Sequence, residues 1–167
     1  NPDLSRICLH VGGAGLTQMM MRARPFLNYL FLLELGMPDP LDQQKYIATL
    51  QGAFDRIDPA TYAHLLLSDK LPGSPADRRV LMQVGLGDTQ VPNFGSYFHA
   101  RLLGLPVLLP APFQPFGMES KPGPIGGSAL ALYDFGIDVN TLNRDALPPA
   151  QESIAHNGVR DLEPALA

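Results

Sequence analysis

The sequence predicts an α/β protein built on a parallel sheet with flanking helices, and three observations carry that expectation. Three short apolar runs, residues 6–11, 80–84 and 128–133, each end at a glycine or aspartate turn, as buried parallel strands do. Between them lie stretches whose apolar residues recur at helical spacing, long enough for the crossovers that parallel pairing requires. Hydrophobic residues make up 46% of the 167-residue chain and charged residues 17%, the balance of one packed domain and not of a disordered or coiled-coil chain.

Arg6-Ile7-Cys8-Leu9-His10-Val11 is the first strand, and Gly12-Gly13-Ala14-Gly15 turns it toward a helix. Cys8 has no second cysteine to pair with and is expected as a small buried core residue. From Leu16 to Leu35 the helical spacing is interrupted at Pro25, which predicts two short helices. The second, Phe26 to Leu35, is apolar nearly all round, so it needs either a cover or an apolar pocket to line. Asp39-Pro40 and Asp58-Pro59 repeat one device, a capping aspartate with proline in the first helical turn. They open helices expected over about 40–56 and 59–67.

A polar link, residues 68–79, leads to the clearest strand, Val80-Leu81-Met82-Gln83-Val84, which ends in Gly85-Leu86-Gly87-Asp88. A helix is expected from about Phe94 to Leu103, closed by Gly104. Residues 105–127 are dense in proline and glycine, which predicts a long surface excursion without regular structure. Ser128 to Tyr133 is the third strand, ended by Asp134-Phe135-Gly136, and a polar tail then reaches His156 and a last helix over Val159 to Leu166.

The formal charge of -4, with no run of lysine or arginine, leaves no electrostatic footprint for nucleic acid or an anionic membrane surface. No segment reaches the ~20 apolar residues of a transmembrane helix. No histidine, cysteine and carboxylate spacing supports a metal site, and no cofactor is expected. The glycine turn lacks both the Gly-x-Gly-x-x-Gly spacing and a lysine, so tight-turn use is favoured over phosphate binding in a flavodoxin-like or nucleotide-binding domain. The chain opens Asn1-Pro2-Asp3 without an initiator methionine. It is therefore expected to begin after processing, cleavage, design or disorder, with any targeting signal upstream.

In open α/β sheets, sites lie beyond the carboxyl ends of the strands, and that is where Asp88 is delivered. The pattern strand-Gly-x-x-Asp-x-x-Val-Pro over residues 80–92, followed by a helix with Ala100-Arg101 and Leu103-Gly104, resembles the segment carrying the catalytic acid in α/β-hydrolase superfamily esterases and lipases. The resemblance implies that Asp88 is the acid of a Ser-His-Asp triad. It also implies that the strand 129–133 precedes the histidine loop and that His156, within Gln151 to Arg160, is the base. His10, His64 and His99 are expected to serve packing or surface roles.

The family's Gly-x-Ser-x-Gly is absent; Ser128, in Gly126-Gly127-Ser128-Ala129-Leu130, and Ser96 both lack its flanks. The chain thus resembles the C-terminal half of such a hydrolase, whose nucleophile belongs to an upstream half. The expected partners are that half or a second copy meeting the first strand's open edge, together with a small ester substrate. The helices from Leu16 to Leu67 take the place of a cap. Met19, Met20, Phe26, Leu30 and Phe31, with Met21, Leu27 and Phe54, suit either an acyl or aromatic pocket or simple packing between helices. A non-catalytic scaffold is the rival reading, and it requires Asp88 and His156 to lie too far apart to hydrogen-bond.

Overall fold

The computed structural model describes residues 3–138 and 152–162. Strands β1 (Arg6–His10), β2 (Arg79–Gly85), β3 (Val107–Leu109), β4 (Ser120–Pro122) and β5 (Ala129–Tyr133) form one sheet in the order β1-β2-β5-β3-β4. Every pairing is parallel. The three expected strands are therefore neighbours in sequence order, and helices flank them as the parallel connections require.

The excursion over 105–127 is a correction, because it contributes β3 and β4. Val107-Leu108-Leu109 is an apolar run whose prolines, Pro106 and Pro110, fall just outside it, so no ladder donor is lost within the strand. Val107 donates its N–H to Glu119, and Leu130 donates to Pro106. β4 ends in Pro122 at the sheet's outer edge, where proline is tolerated.

Helices α1 (Leu16–Met20), α2 (Leu27–Gly36), α3 (Pro40–Phe54), α4 (Pro59–Tyr62) and α5 (His64–Leu67) lie between β1 and β2, with a 3-10 turn at Arg24–Phe26. Asp39 and Asp58 cap α3 and α4 as expected, accepting the N–H of Leu41 and Ala60. The stretch 59–67 divides into two short helices at Ala63. α6 (Asn93–Leu102) follows the acid loop. α7 (Ala155–Asp161) starts four residues ahead of the expected helix, so His156 stands in its first turn and not in a loop. The expected end of that helix, 163–166, lies outside the described residues.

Alternation along the strands sorts two sheet faces. Val80, Met82, Val84, Leu130 and Val107 form the main core with Ala100 and Leu103 of the α6 segment and with Ala63 at the α4–α5 junction. Leu66 and Leu67 of α5 pack on that core, while α3 packs on α1 and α2. α7 lies against β2. Cys8 corrects the buried expectation, since it is exposed and its thiol lies 3.1 Å from Gln83 Oε1. β1 is an edge strand, and Cys8 points away from the face on which Ile7 and Leu9 pack. Among the described residues no helix is long and apolar enough to cross a membrane.

Candidate functional site

β2 carries the chain to the C-terminal edge of the sheet and Gly87, at φ 76°, turns it into the acid loop. Left-handed backbone of this kind is open to glycine at little steric cost. Asn93 closes the loop from the start of α6, accepting the Gly87 N–H at 2.7 Å and donating to Gly85 O at 2.8 Å. Asp88 Oδ1 accepts the N–H groups of Gln90 at 2.8 Å and Val91 at 2.9 Å. Its other oxygen, Oδ2, lies 2.8 Å from His156 Nδ1. Both side chains are buried, with Asp88 1% and His156 6% exposed.

The histidine arrives there because α7 crosses the end of β2 at close range. A Cβ on Gly85 would fall 2.7 Å from Ala155 O, so glycine is what permits the approach. Ser153 fastens the preceding turn to the acid loop, its hydroxyl donating to Gly87 O at 2.6 Å and its N–H to Thr89 Oγ1 at 3.2 Å. A carboxylate is only an acceptor, so the Asp88 contact selects the Nδ1–H tautomer of a neutral His156 and leaves Nε2 as a proton acceptor. Nε2 makes no hydrogen bond within the described residues. The arrangement is a buried base oriented by a buried acid, able to take a proton from a group brought to Nε2.

Other titratable groups support the surroundings. Burial of Asp58 favours its neutral form, yet the N–H groups of Ala60, Leu16 and Gly15 and the Gln51 amide outweigh it and hold the carboxyl below its ordinary range. Burial pushes His99 down, partly opposed by the charge of Asp58, and pushes the Tyr97 hydroxyl up. Asp58 also decides the question of the glycine turn. It accepts the N–H of Gly15 at 3.0 Å and of Leu16 at 2.7 Å, while Ala14 donates to Gly95 O. Three donors at the turn are thus engaged within the chain, two of them by its own carboxylate.

The expected substrate-contacting residues separate into three groups. Met19 is buried against the positions of Gly13 and Gly95 and serves packing. Met20, Phe26 and Leu30, with Tyr29, Tyr46 and Ile47, line an apolar cavity of about 310 Å³ between α2 and α3. Phe31 is 60% exposed and outside that wall, since it projects from a different face of α2. None of the cavity's lining residues belongs to the acid or histidine loops. His10, at the end of β1, is half-buried, His99 on α6 is buried and His64 is exposed, and none of them joins the Asp88–His156 pair.

Ser128 stands at the start of β5, where its hydroxyl accepts the Val80 N–H. That is the opposite end of the sheet, about 16 Å from Tyr133 at ~3.3 Å per residue. Ser96 is buried on α6 with no partner for its hydroxyl among the described residues. Sequence reasoning passed over Asn93, Ser153, Gln90 and Glu152. Asn93, directly after Val91-Pro92 at a helix start, carried a signal in its capping chemistry, whereas Ser153 and Glu152 had only their nearness to His156. Among the described residues no group of three or more histidine, cysteine or carboxylate side chains is placed to hold a metal. No protein-family model, curated protein or solved structure matches the chain.

Proposed function

We propose that this chain is the C-terminal part of an α/β-hydrolase-type carboxylic ester hydrolase, an esterase or lipase, and supplies the acid and base of its Ser-His-Asp triad. The observation that carries the reading is the 2.8 Å contact between two buried side chains, Asp88 and His156, at the C-terminal edge of a parallel sheet. A scaffold would not need that pair. In the reaction, a serine from outside this chain attacks the ester carbonyl, and His156 Nε2 takes its proton and returns it to the leaving alcohol. Asp88 holds the tautomer and stabilises the imidazolium. The oxyanion is met by backbone donors beside the nucleophile.

The nucleophile-bearing segment is proposed to pair with the outer edge of β1, which has no strand beside it among the described residues. Self-association through that edge is its competitor, since unpaired edges promote pairing. The test is hydrolysis of short acyl esters by the chain alone and by the chain joined to its nucleophile-bearing segment. The joined protein should be active and the chain alone inert, with His156→Ala lowering kcat by about 10⁴. Hydrolysis that survives His156→Ala unchanged would sink the proposal, as would a joined, folded protein without activity.

A further inference from the structure

The apolar cavity between α2 and α3, of about 310 Å³, shares no lining residue with the acid and histidine loops. We infer that it binds an uncharged aromatic molecule of about two fused rings. This binding goes beyond the hydrolase reading and does not depend on it.

The helices give the space its shape. Phe26, Tyr29, Leu30 and Leu33 stand at positions i, i+3, i+4 and i+7, one row along the inner side of α2. Two helical turns make that wall about 10 Å long. Tyr46 and Leu50, one turn apart on α3, form the other wall with Ile47, and Met20, the last residue of α1, joins the lining. Ile47 is buried and Leu30, Leu33 and Leu50 are half-buried, while Tyr29, Leu32 and Tyr46 are exposed. The space thus has a closed floor and a mouth on the tyrosine side. An apolar cavity of ~150 Å³ holds one benzene ring. Twice that volume, in a space about 10 Å long, fits two fused rings in line.

The chemistry of the wall narrows the ligand further. Among the described residues no lysine, arginine, histidine or carboxylate lines the space, and Lys45, next to Tyr46 in sequence, is held by Asp42 at 2.9 Å. A charged ligand would lose hydration there and gain no counter-charge. Three of the nine lining side chains are aromatic, and the Phe26 and Tyr29 rings stand tilted at 47° with centroids 6.0 Å apart. Rings at such spacings pair edge to face with a further ring, and the Met20 thioether adds a contact that suits ring edges and adapts in shape. An alkyl chain would fill the volume without using the rings.

α2 buries no residue of its own, so a ligand in this space covers the helix's inner row and holds the folded arm by mass action. Residues 24–30 keep that ligand away from the acid–base pair. Arg24, Leu27 and Asn28 line, with Gln90 and Glu152, a second cavity of about 280 Å³ beside the acid and histidine loops, and the two walls have no described residue in common.

The test is titration of the methyl-labelled chain, followed by NMR, with 2-naphthol, 2-naphthoate and 1-octanol as probes. Ring-current shifts at the methyl groups of Met20, Leu30, Leu33, Ile47 and Leu50 should saturate with 2-naphthol. Affinity should be about tenfold lower or less for 2-naphthoate and about threefold lower for 1-octanol. Amide exchange along α2 should slow roughly tenfold at a 2-naphthol concentration ten times its Kd. Leu33→Trp and Leu50→Phe each fill the space and should weaken 2-naphthol about tenfold, whereas Leu35→Ser, outside the wall, should leave it unchanged. Unshifted methyl signals of Val84 and Leu130 in the sheet core will show that each variant folds, and the comparison of probes on the parent chain needs no variant. No saturable shift at these methyl groups, equal affinity for 2-naphthoate, equal or tighter binding of 1-octanol, or indifference to both filling variants would overturn the inference. Ester hydrolysis by the joined protein is measured separately, so the loss of either proposal leaves the other standing.

Discussion

Around Asp88 and along α2 the chain handles its side chains in opposite ways. In the acid loop Asp88, Thr89, Asn93 and His156 are buried, and each takes part in a hydrogen bond within the loop, with α7 or with the turns beside them. On α2 no residue is buried, and Tyr29, Phe31, Leu32 and Leu35 are each at least 60% exposed. The loop is fixed by short directional bonds that the chain makes to itself. α2 has the helix propensity of its leucines but no apolar stripe with which to bury one side. The placement of the helical arm rests on a few anchors, chiefly buried Ile47 of α3 and buried Asp58 ahead of α4.

The largest effect should come from breaking the loop. Asp88→Ala removes the acceptor of two backbone N–H groups and of the His156 imidazole, leaving buried donors unpaired. About 3 kcal/mol or more of stability should be lost. Leu35→Ser on α2 should change stability by no more than about 0.5 kcal/mol, because the side chain is 64% exposed and lines neither cavity. Urea denaturation of the two variants beside the parent measures both. A loss below about 1 kcal/mol for Asp88→Ala would mean that the network orients His156 without supporting the fold.

Two helical glycines give a matched and smaller comparison. A Cβ on Gly95 of α6 would run into the Met19 thioether and approach Ala14 O to 3.2 Å, and Gly95→Ala should cost about 1–3 kcal/mol through overpacking. Gly52 of α3 has nothing within 4 Å of that position. Gly52→Ala should therefore stabilise the protein, by roughly 0.5–1 kcal/mol, through the lower backbone entropy of the unfolded chain. Opposite signs sharpen the contrast between the platform and the arm. A cost at Gly52 would show that α3 is packed against something in solution.

The parts of the structure that were legible in the sequence were those with a local cause. Apolar runs ending in a glycine or aspartate turn gave β1, β2 and β5, and the aspartate-proline pairs gave the starts of α3 and α4, because strand burial and helix capping are decided within a few residues. Asp88 and His156 came from pattern and order, and their separation of 2.8 Å follows from a close passage of α7 over Gly85 that no local rule describes. β3 and β4 were hidden because proline density argued against strands, although the prolines fall at strand ends. Which face of α2 carries Phe31 was not legible, because a helix that is apolar all round carries no signal for which face is inward. Arg24, Asn28, Gln90 and Glu152 went unseen as a group, since their meeting depends on how three separate segments are packed.

The smallest expected effect lies where the two regions join, and it is one of pH. Asp58 fastens the start of α1 to the start of α4 and sits below its ordinary carboxyl range because its backbone and Gln51 hydrogen bonds outweigh its burial. A lowered carboxyl contributes stability that is present above its unfolded value, about pH 4, and is lost as pH falls through the native one. His99 on α6 is lowered by burial, with Asp58 partly opposing. Below about pH 6.5 the unfolded chain takes a proton that folded His99 refuses, so stability falls as pH drops from there toward the native value and then levels off. Urea midpoints followed downward from about pH 7.5 should therefore decline in two windows, the first of them reduced in His99→Gln and the second in Asp58→Asn, which also starts from a lower midpoint. If His99→Gln declines as steeply as the parent between about pH 6.5 and 5, then His99 is reached by water and the joint between arm and platform is looser than its buried hydrogen bonds imply.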